Sequence, residues 1–253
     1  MKEHEGVPQI SRRNFLKGAA ALGIAIGISG TMPLGVFGAE AGRIYAPGEI
    51  VRRGDSTIPN VFLTFDDDWK NVPLILDIAR EKDAKITFCP VGQTVNKNKA
   101  LWQEVLLEGH TIENHTWSHR NLNKLTKNEI ETQIVRQREL VEGIAYQAGF
   151  NYKEVFLRPP GGRANLNVQD VARRLGLVIV NWSVSSAGTS KTKTEDKVYH
   201  NVVDNLKNGA IVLQHALLKD IHVLPGVIDE ARRQGYSVNT SLREGIPTTV
   251  YSA

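Results

Sequence analysis

His115-Thr116-Trp117-Ser118-His119 sets two imidazoles four residues apart. On a helical turn that spacing brings both rings to one side, where a single divalent ion can bind them. Two neutral histidines need an anionic third ligand, and the run Asp66-Asp67-Asp68 offers one. Each feature also has an ordinary reading. Paired histidines occur on surfaces, consecutive aspartates serve as loop and cap residues, and Arg158-Pro159-Pro160-Gly161-Gly162 reads first as a rigid turn. Cys89 is the single cysteine and lies in the apolar run Ile86 to Val91. It reads as a buried structural thiol, and it leaves no intrachain disulfide and no cysteine-based zinc site.

The elements that must position these residues alternate along the chain. Apolar runs at Val61 to Phe65, Lys85 to Pro90, Thr111 to His115, Val155 to Arg158, Leu177 to Val184, Ala210 to His215 and Ser237 to Leu242 read as strands. Helices are expected over 72–82, 98–108, 127–148, 167–175, 195–208 and 222–234. Thr126 with Glu129 forms a capping box at the start of the longest one, and Gly149, Gly176, Gly209 and Gly235 stand where helices should stop. Seven strands separated by helices imply an α/β fold with a mostly parallel sheet and helices outside; periodicity does not separate an open sheet from a barrel. Parallel sheets carry their functional groups at the C-terminal strand ends. Asp66 to Asp68, His115 with His119, Arg158 with its Pro-Gly turn, and His215 all fall at such ends and should converge on one rim.

In order and spacing these residues resemble the polysaccharide deacetylases, carbohydrate esterase family 4, also called the NodB-homology domain. The first motif is seen as Thr64-Phe65-Asp66-Asp67, the second as His115 to His119 after Gly109 to Asn114, the third as Arg158 to Gly162, and the fifth as Leu213-Gln214-His215. The resemblance spans residues 58 to 240 and implies a distorted (β/α) barrel of about seven strands. Carried over position by position, it implies that Asp67, His115 and His119 bind one divalent metal, zinc by default with cobalt, nickel or manganese as alternatives. It further implies that Asp66 is the general base and Arg158 orients it. Gly161 would supply a backbone N–H to the oxyanion, and His215 would protonate the departing amine. The implied reaction is removal of N-acetyl groups, or O-acetyl groups, from a polysaccharide such as peptidoglycan, chitin oligomers or exopolysaccharide.

Two positions depart from the family pattern. Asp68 replaces the glycine usual after the paired aspartates, and a left-handed backbone there is one that Asp tolerates. Relatives often show Asp residues and an Asp-Trp pair after the strand tryptophan, where this chain reads Trp182-Ser183-Val184-Ser185-Ser186-Ala187-Gly188-Thr189. The carboxylate that would orient His215 is missing from that stretch, and Asp220 is a candidate substitute. A glycan-binding pseudoenzyme with a decayed fourth motif is therefore the competing reading. Two histidines and one carboxylate also describe a non-haem iron oxidoreductase. That site usually uses His-x-Asp/Glu, and here no histidine is followed two positions later by a carboxylate.

Upstream of these motifs, Ser11-Arg12-Arg13-Asn14-Phe15-Leu16-Lys17 precedes an apolar stretch from Gly18 to Gly30, and Ala39-Glu40-Ala41 gives a small-x-small cleavage pattern. The segment resembles a twin-arginine signal peptide. Gly18, Gly23, Gly27, Gly30 and Gly35 would each weaken an interior helix by roughly 1 kcal/mol, which argues against a core element. The expected organisation is a signal at 1–41, an entry segment at 42–59, the deacetylase domain at 60–245 and a short tail at 246–253. The expected location is outside the cytoplasm by way of the twin-arginine export machinery, with no stable membrane span after cleavage. With 41% hydrophobic and 23% charged residues, composition argues against disorder and against a multi-span membrane protein. A formal charge of +4 without a Lys/Arg cluster on one element argues against a nucleic-acid partner.

Overall fold

The computed structural model describes residues 42–249, so the expected signal and its cleavage site lie outside the described residues. Among the described residues, eight strands run β1 (Ile50–Val51), β2 (Val61–Asp67), β3 (Ile86–Pro90), β4 (Thr111–Ile112), β5 (Phe156–Leu157), β6 (Val178–Val180), β7 (Val184–Ser185) and β8 (Ala210–His215). The helices are α1 (Val72–Glu81), α2 (Gly92–Val95), α3 (Lys99–Leu107), α4 (Lys127–Gln147), α5 (Leu166–Arg174), α6 (Glu195–Val203), α7 (Leu218–Arg233) and α8 (Leu242–Gly245). Every strand pair is parallel. The strands form one sheet ordered β4-β3-β2-β8-β7 and another ordered β1-β6-β5. Single bridges from Asn114 to Leu157 and from Arg53 to Ala210 join the two into a ring. The fold is thus the expected distorted α/β barrel with outer helices.

Alternation along the strands sorts side chains into two layers. Leu63 and Phe65 of β2 and Val212 of β8 face the helices, in a core shared with Ile75 and Leu76 of α1 and Leu224 and Ile228 of α7. Phe62, Ile211, Phe156, Val178 and Val180 fill the barrel interior with Val51. Continuing the inward register past Phe62, Ile211 and Phe156 brings Thr64 and Asp66, then His215, then Arg158, to the barrel mouth. Parallel register sets Asp66 beside both Cys89 and His215.

Several elements differ from expectation. Residues 42–59 are built into the ring, since β1 pairs with β6 and Tyr45 bridges Thr248. The expected strand from Leu177 to Val184 divides into β6 and β7, because the Asn181 N–H bonds Val51 and the Ser183 N–H bonds Ile211 on a different strand. Ser237 to Leu242 forms no named strand: Ser237 bridges Asn60, the Val238 carbonyl accepts the Lys85 N–H, and Ser241 opens α8 with a capping box to Glu244. The capping box of Thr126 and Glu129 forms as expected on α4. α7 begins at Leu218, four residues earlier than expected, which places Asp220 in its first turn.

Candidate active site and metal centre

Arg158 anchors the floor of the barrel mouth. Its side chain is fully buried. Nη1 donates to both oxygens of Asp66 at 2.9 and 3.1 Å, Nη2 to Thr64 Oγ1 at 3.2 Å, and Nε to the Val180 carbonyl at 2.9 Å. Burial opposes the guanidinium charge, and the Asp66 carboxylate outweighs it, so the Arg158 pKa is raised. Removing either partner would strand a buried charge at a cost of about 3–5 kcal/mol. Thr64 was not among the predicted site residues. Its period-two spacing from Asp66 on a strand was the available signal.

Asp67, His115 and His119 come together above this pair. Asp67 Oδ1 lies 3.3 Å from His115 Nε2 and 3.4 Å from His119 Nε2. One ligand atom from each residue falls within 4.8 Å of the other two. The pair of histidines is not helical, contrary to the simplest reading of its spacing. Thr116 and His119 both adopt left-handed backbone, at φ 67° and 55°, and Asn114 Oδ1 accepts the Thr116 N–H at 3.0 Å. The left-handed turn expected at Asp68 falls on Asp67 instead, at φ 76°. Non-glycine residues in this region store strain that surrounding structure must hold, as is common at functional sites.

His115 is fixed at two points, ring and backbone. Its Nδ1 lies 2.6 Å from the Arg158 carbonyl, a contact that requires Nδ1–H as donor. In the neutral ring this leaves the Nε2 lone pair facing Asp67. Its backbone N–H donates to Gln137 Oε1 at 2.9 Å, and Gln137 Nε2 donates to the Pro90 carbonyl. Buried Gln137 on α4 was missed by sequence reasoning, since an isolated glutamine in a helix carries no distinguishing pattern. Asp67 Oδ1 is itself buried and accepts no hydrogen bond from the described residues. Burial raises the Asp67 pKa, but His115, His119 and His215 together hold it below the ordinary value. An orphaned carboxylate oxygen facing two imidazole nitrogens is a donor set that fits a divalent cation.

The opposite wall carries His215, whose Nε2 is 3.7 Å from Asp67 Oδ2. Its Nδ1 is buried without a hydrogen-bond partner among the described residues. Gly161 turns the third-motif segment at φ 65°, and a Cβ at Gly162 would meet the Trp182 ring at 2.9 Å. Six of the seven predicted site residues, Asp66, Asp67, His115, His119, Arg158 and His215, are thus joined by contacts within 4 Å, and Gly161 follows Arg158 in the third-motif turn. Other aromatic, histidine and cysteine side chains take quieter places. Trp117 lies under the Arg136 guanidinium at 3.7 Å, Trp102 is core, and Cys89 is a buried thiol whose pKa is pushed up by burial. His110 accepts the Ile86 N–H at 3.2 Å, and burial lowers its pKa to about 4.

Fold and mouth together define an α/β barrel with a candidate divalent-metal centre at its C-terminal rim. The polysaccharide deacetylase family model matches residues 53–180, and the chain belongs to that family. Residues 9–29 match the twin-arginine translocation pathway signal sequence, which marks the chain for export from the cytoplasm. No helix among the described residues is long and apolar enough to cross a membrane. A peptidoglycan-N-acetylglucosamine deacetylase of Bacillus cereus is 32% identical over 182 residues; the match covers 69% of this chain and 64% of that protein, less than two thirds of its length. The crystal structure of a peptidoglycan N-acetylglucosamine deacetylase bound to an N-oxidanyl-benzamide superposes with a TM-score of 0.74 at 29% identity, covering 80% of this chain and 94% of the other. A pseudoenzyme of carbohydrate esterase family 4 from Bacillus anthracis superposes at 0.72 with 25% identity, covering 79% and 70%.

Proposed function

We propose that this chain is a metal-dependent hydrolase that removes N-acetyl groups from an extracytoplasmic glycan, with peptidoglycan the first substrate to test. The catalytic domain would run from 60 to 245, with the signal removed after Ala41, 42–59 as entry segment and 246–253 as tail. Asp67, His115 and His119 would hold the ion, with zinc the default and cobalt, nickel or manganese able to bind the same donors. When bound, such an ion supplies Lewis acidity toward a carbonyl oxygen and acidifies water.

The chain's own residues carry the proton traffic. Asp66, held by Arg158 beside the ligand Asp67, takes a proton from the water that adds to the acetyl carbon. The Gly161 N–H donates to the oxyanion that develops on the former carbonyl oxygen. As the carbon–nitrogen bond breaks, His215 gives a proton to the departing amine, and the products are acetate and a free amino sugar. The observation that carries this reading is the buried Asp67 Oδ1, without a hydrogen bond among the described residues and facing both imidazoles, next to a second aspartate paired with Arg158. The test is acetate release from peptidoglycan, chitin oligomers and acetylated xylan, with metal-free protein and Asp66→Asn as controls. Activity should vanish in both controls, and full activity in Asp66→Asn would remove the base assignment.

The partnerless His215 Nδ1 favours a second reading, a glycan-binding pseudoenzyme with an unsupported acid. Protein that binds metal and glycan yet releases no acetate over long incubation would establish it.

A further inference from the structure

The carboxylate absent from the loop after β7 has a counterpart on a different element. Asp220, in the first turn of α7, is fully buried, and its Oδ2 accepts the His215 backbone N–H at 3.1 Å. Its Oδ1 is buried with no hydrogen bond, and so is His215 Nδ1. Asp220 Oδ1 and His215 Nδ1 thus both lack a partner among the described residues, on two residues already joined through the backbone, with the Ser186 side chain also beside the carboxylate.

The loop itself supplies the second observation. A Cβ placed on Gly188 would lie 2.2 Å from Asp220 Oδ2 and 2.6 Å from its Cγ. The Asp220 carboxylate therefore stands in the space that a side chain at position 188 would fill. Position 188 lies in the loop after the strand tryptophan, which reads Ser185-Ser186-Ala187-Gly188 and carries no carboxylate. The loop is also pinned in this shape. The Gly188 N–H donates to Ser186 Oγ at 3.2 Å, Asn201 Nδ2 donates to the Ser186 carbonyl at 2.9 Å, and Ala187 takes a left-handed backbone at φ 57°. Alanine in that region costs roughly 1–2 kcal/mol, so the surrounding contacts hold it there.

We propose that Asp220 is the positioning residue for His215: its carboxylate, reaching Nδ1 through one water, holds the Nδ1–H tautomer and leaves Nε2 at the cleft to carry the proton. The carboxylate comes from the helix that follows His215, and the absence of a side chain at Gly188 leaves it the space it occupies. A carboxylate behind a proton-carrying imidazole fixes both its tautomer and its orientation, which is the reason such a group is needed at all. Lys219, the nearest basic residue in sequence, is turned away, with its Nζ on the carbonyls of Ser190 and Lys193.

This inference rests on His215 acting as the acid in the proposed deacetylation, so its test has a readout independent of turnover. Asp220→Asn keeps the side-chain shape and removes the anionic acceptor. In full-length protein, with and without zinc, ring 15N spectra at alkaline pH should show His215 as the Nδ1–H tautomer in the wild type and as a mixture in Asp220→Asn. Turnover of an N-acetylated chitooligosaccharide should fall about 100-fold in kcat with little change in KM. Hydrolysis of 4-nitrophenyl acetate, whose leaving group needs no proton, should change by less than about 3-fold. Returning the carboxylate to the loop in the double variant Asp220→Gly, Gly188→Asp should restore most of the amide activity. An unchanged tautomer in Asp220→Asn, or equal losses on amide and ester, would overturn the assignment. Should the wild type hydrolyse neither substrate, the deacetylase reading fails, and the tautomer measurement alone decides the role of Asp220.

Discussion

On the wall of the cleft that carries His115, each group that sets the ring has its partner. Nδ1 meets the Arg158 carbonyl, the backbone N–H meets Gln137, and the loop to His119 is tied by Asn114 and Thr116. On the wall that carries His215, the ring nitrogen facing the interior has none, and the nearby carboxylate holds the backbone N–H. The difference follows from what each wall would do. A cation site gains affinity when its ligands are fixed before the ion arrives, and the strained backbone at Asp67, Thr116 and His119 is the cost of that fixity. A proton donor needs the right tautomer and one free edge, and a single carboxylate suffices to set both.

The comparison can be broken first at its foundation. Arg158→Leu should lower stability by about 3–5 kcal/mol in urea unfolding, because it leaves the Asp66 carboxylate buried and unpaired. A loss below about 1 kcal/mol would mean that water reaches the floor. On the opposite wall, His215→Gln should reduce kcat on an N-acetyl substrate by about 100-fold or more while zinc affinity stays at the wild-type value. A parallel fall in zinc affinity would make His215 part of the metal wall and dissolve the distinction.

Behind His115 the expected effects are smaller. Gln137→Ala removes the acceptor for the His115 N–H and should weaken zinc binding about 10- to 100-fold by calorimetric titration, with the fold intact. Glu154, whose Oε2 accepts from Asn114 at 2.6 Å, is fully buried, and burial above all raises its pKa from 4.5 to about 8. Between those values the folded state binds more protons than the unfolded chain. Stability should therefore decline as pH rises from 4.5 toward 8, by at most about 1.4 kcal/mol per pH unit. Glu154→Gln should flatten that slope in unfolding measurements across the window, and an unaltered slope would show that another group causes it.

How far the molecule could be read from its residues depended on length and burial. β2, β3 and β8 are covered on both faces, so their continuous apolar runs stand out. β1 is two residues set among Gly, Pro and Arg, and no period can emerge from Ile50–Val51. Ser237 to Leu242 alternates like a strand, yet Ser241 and Glu244 spell a capping box that was equally present in the sequence. Within the site, strand ends and motif order brought out the residues at the mouth. Backbone conformation did not follow from them, since nothing in three consecutive aspartates says that Asp67 and not Asp68 turns left-handed. Nor could spacing reveal that position 188 and Asp220 compete for one space, a relation across elements far apart in the chain.

The most direct measurement is a crystal structure of the zinc-loaded protein with anomalous data at the zinc edge, paired with zinc titration of Asp67→Ala and His119→Ala. One ion per chain, bonded to Asp67 Oδ1 and to Nε2 of both His115 and His119, with affinity sharply reduced in each variant, is the expected result. An ion bound elsewhere, or wild-type affinity in both variants, would contradict the shared centre on which the mechanism stands.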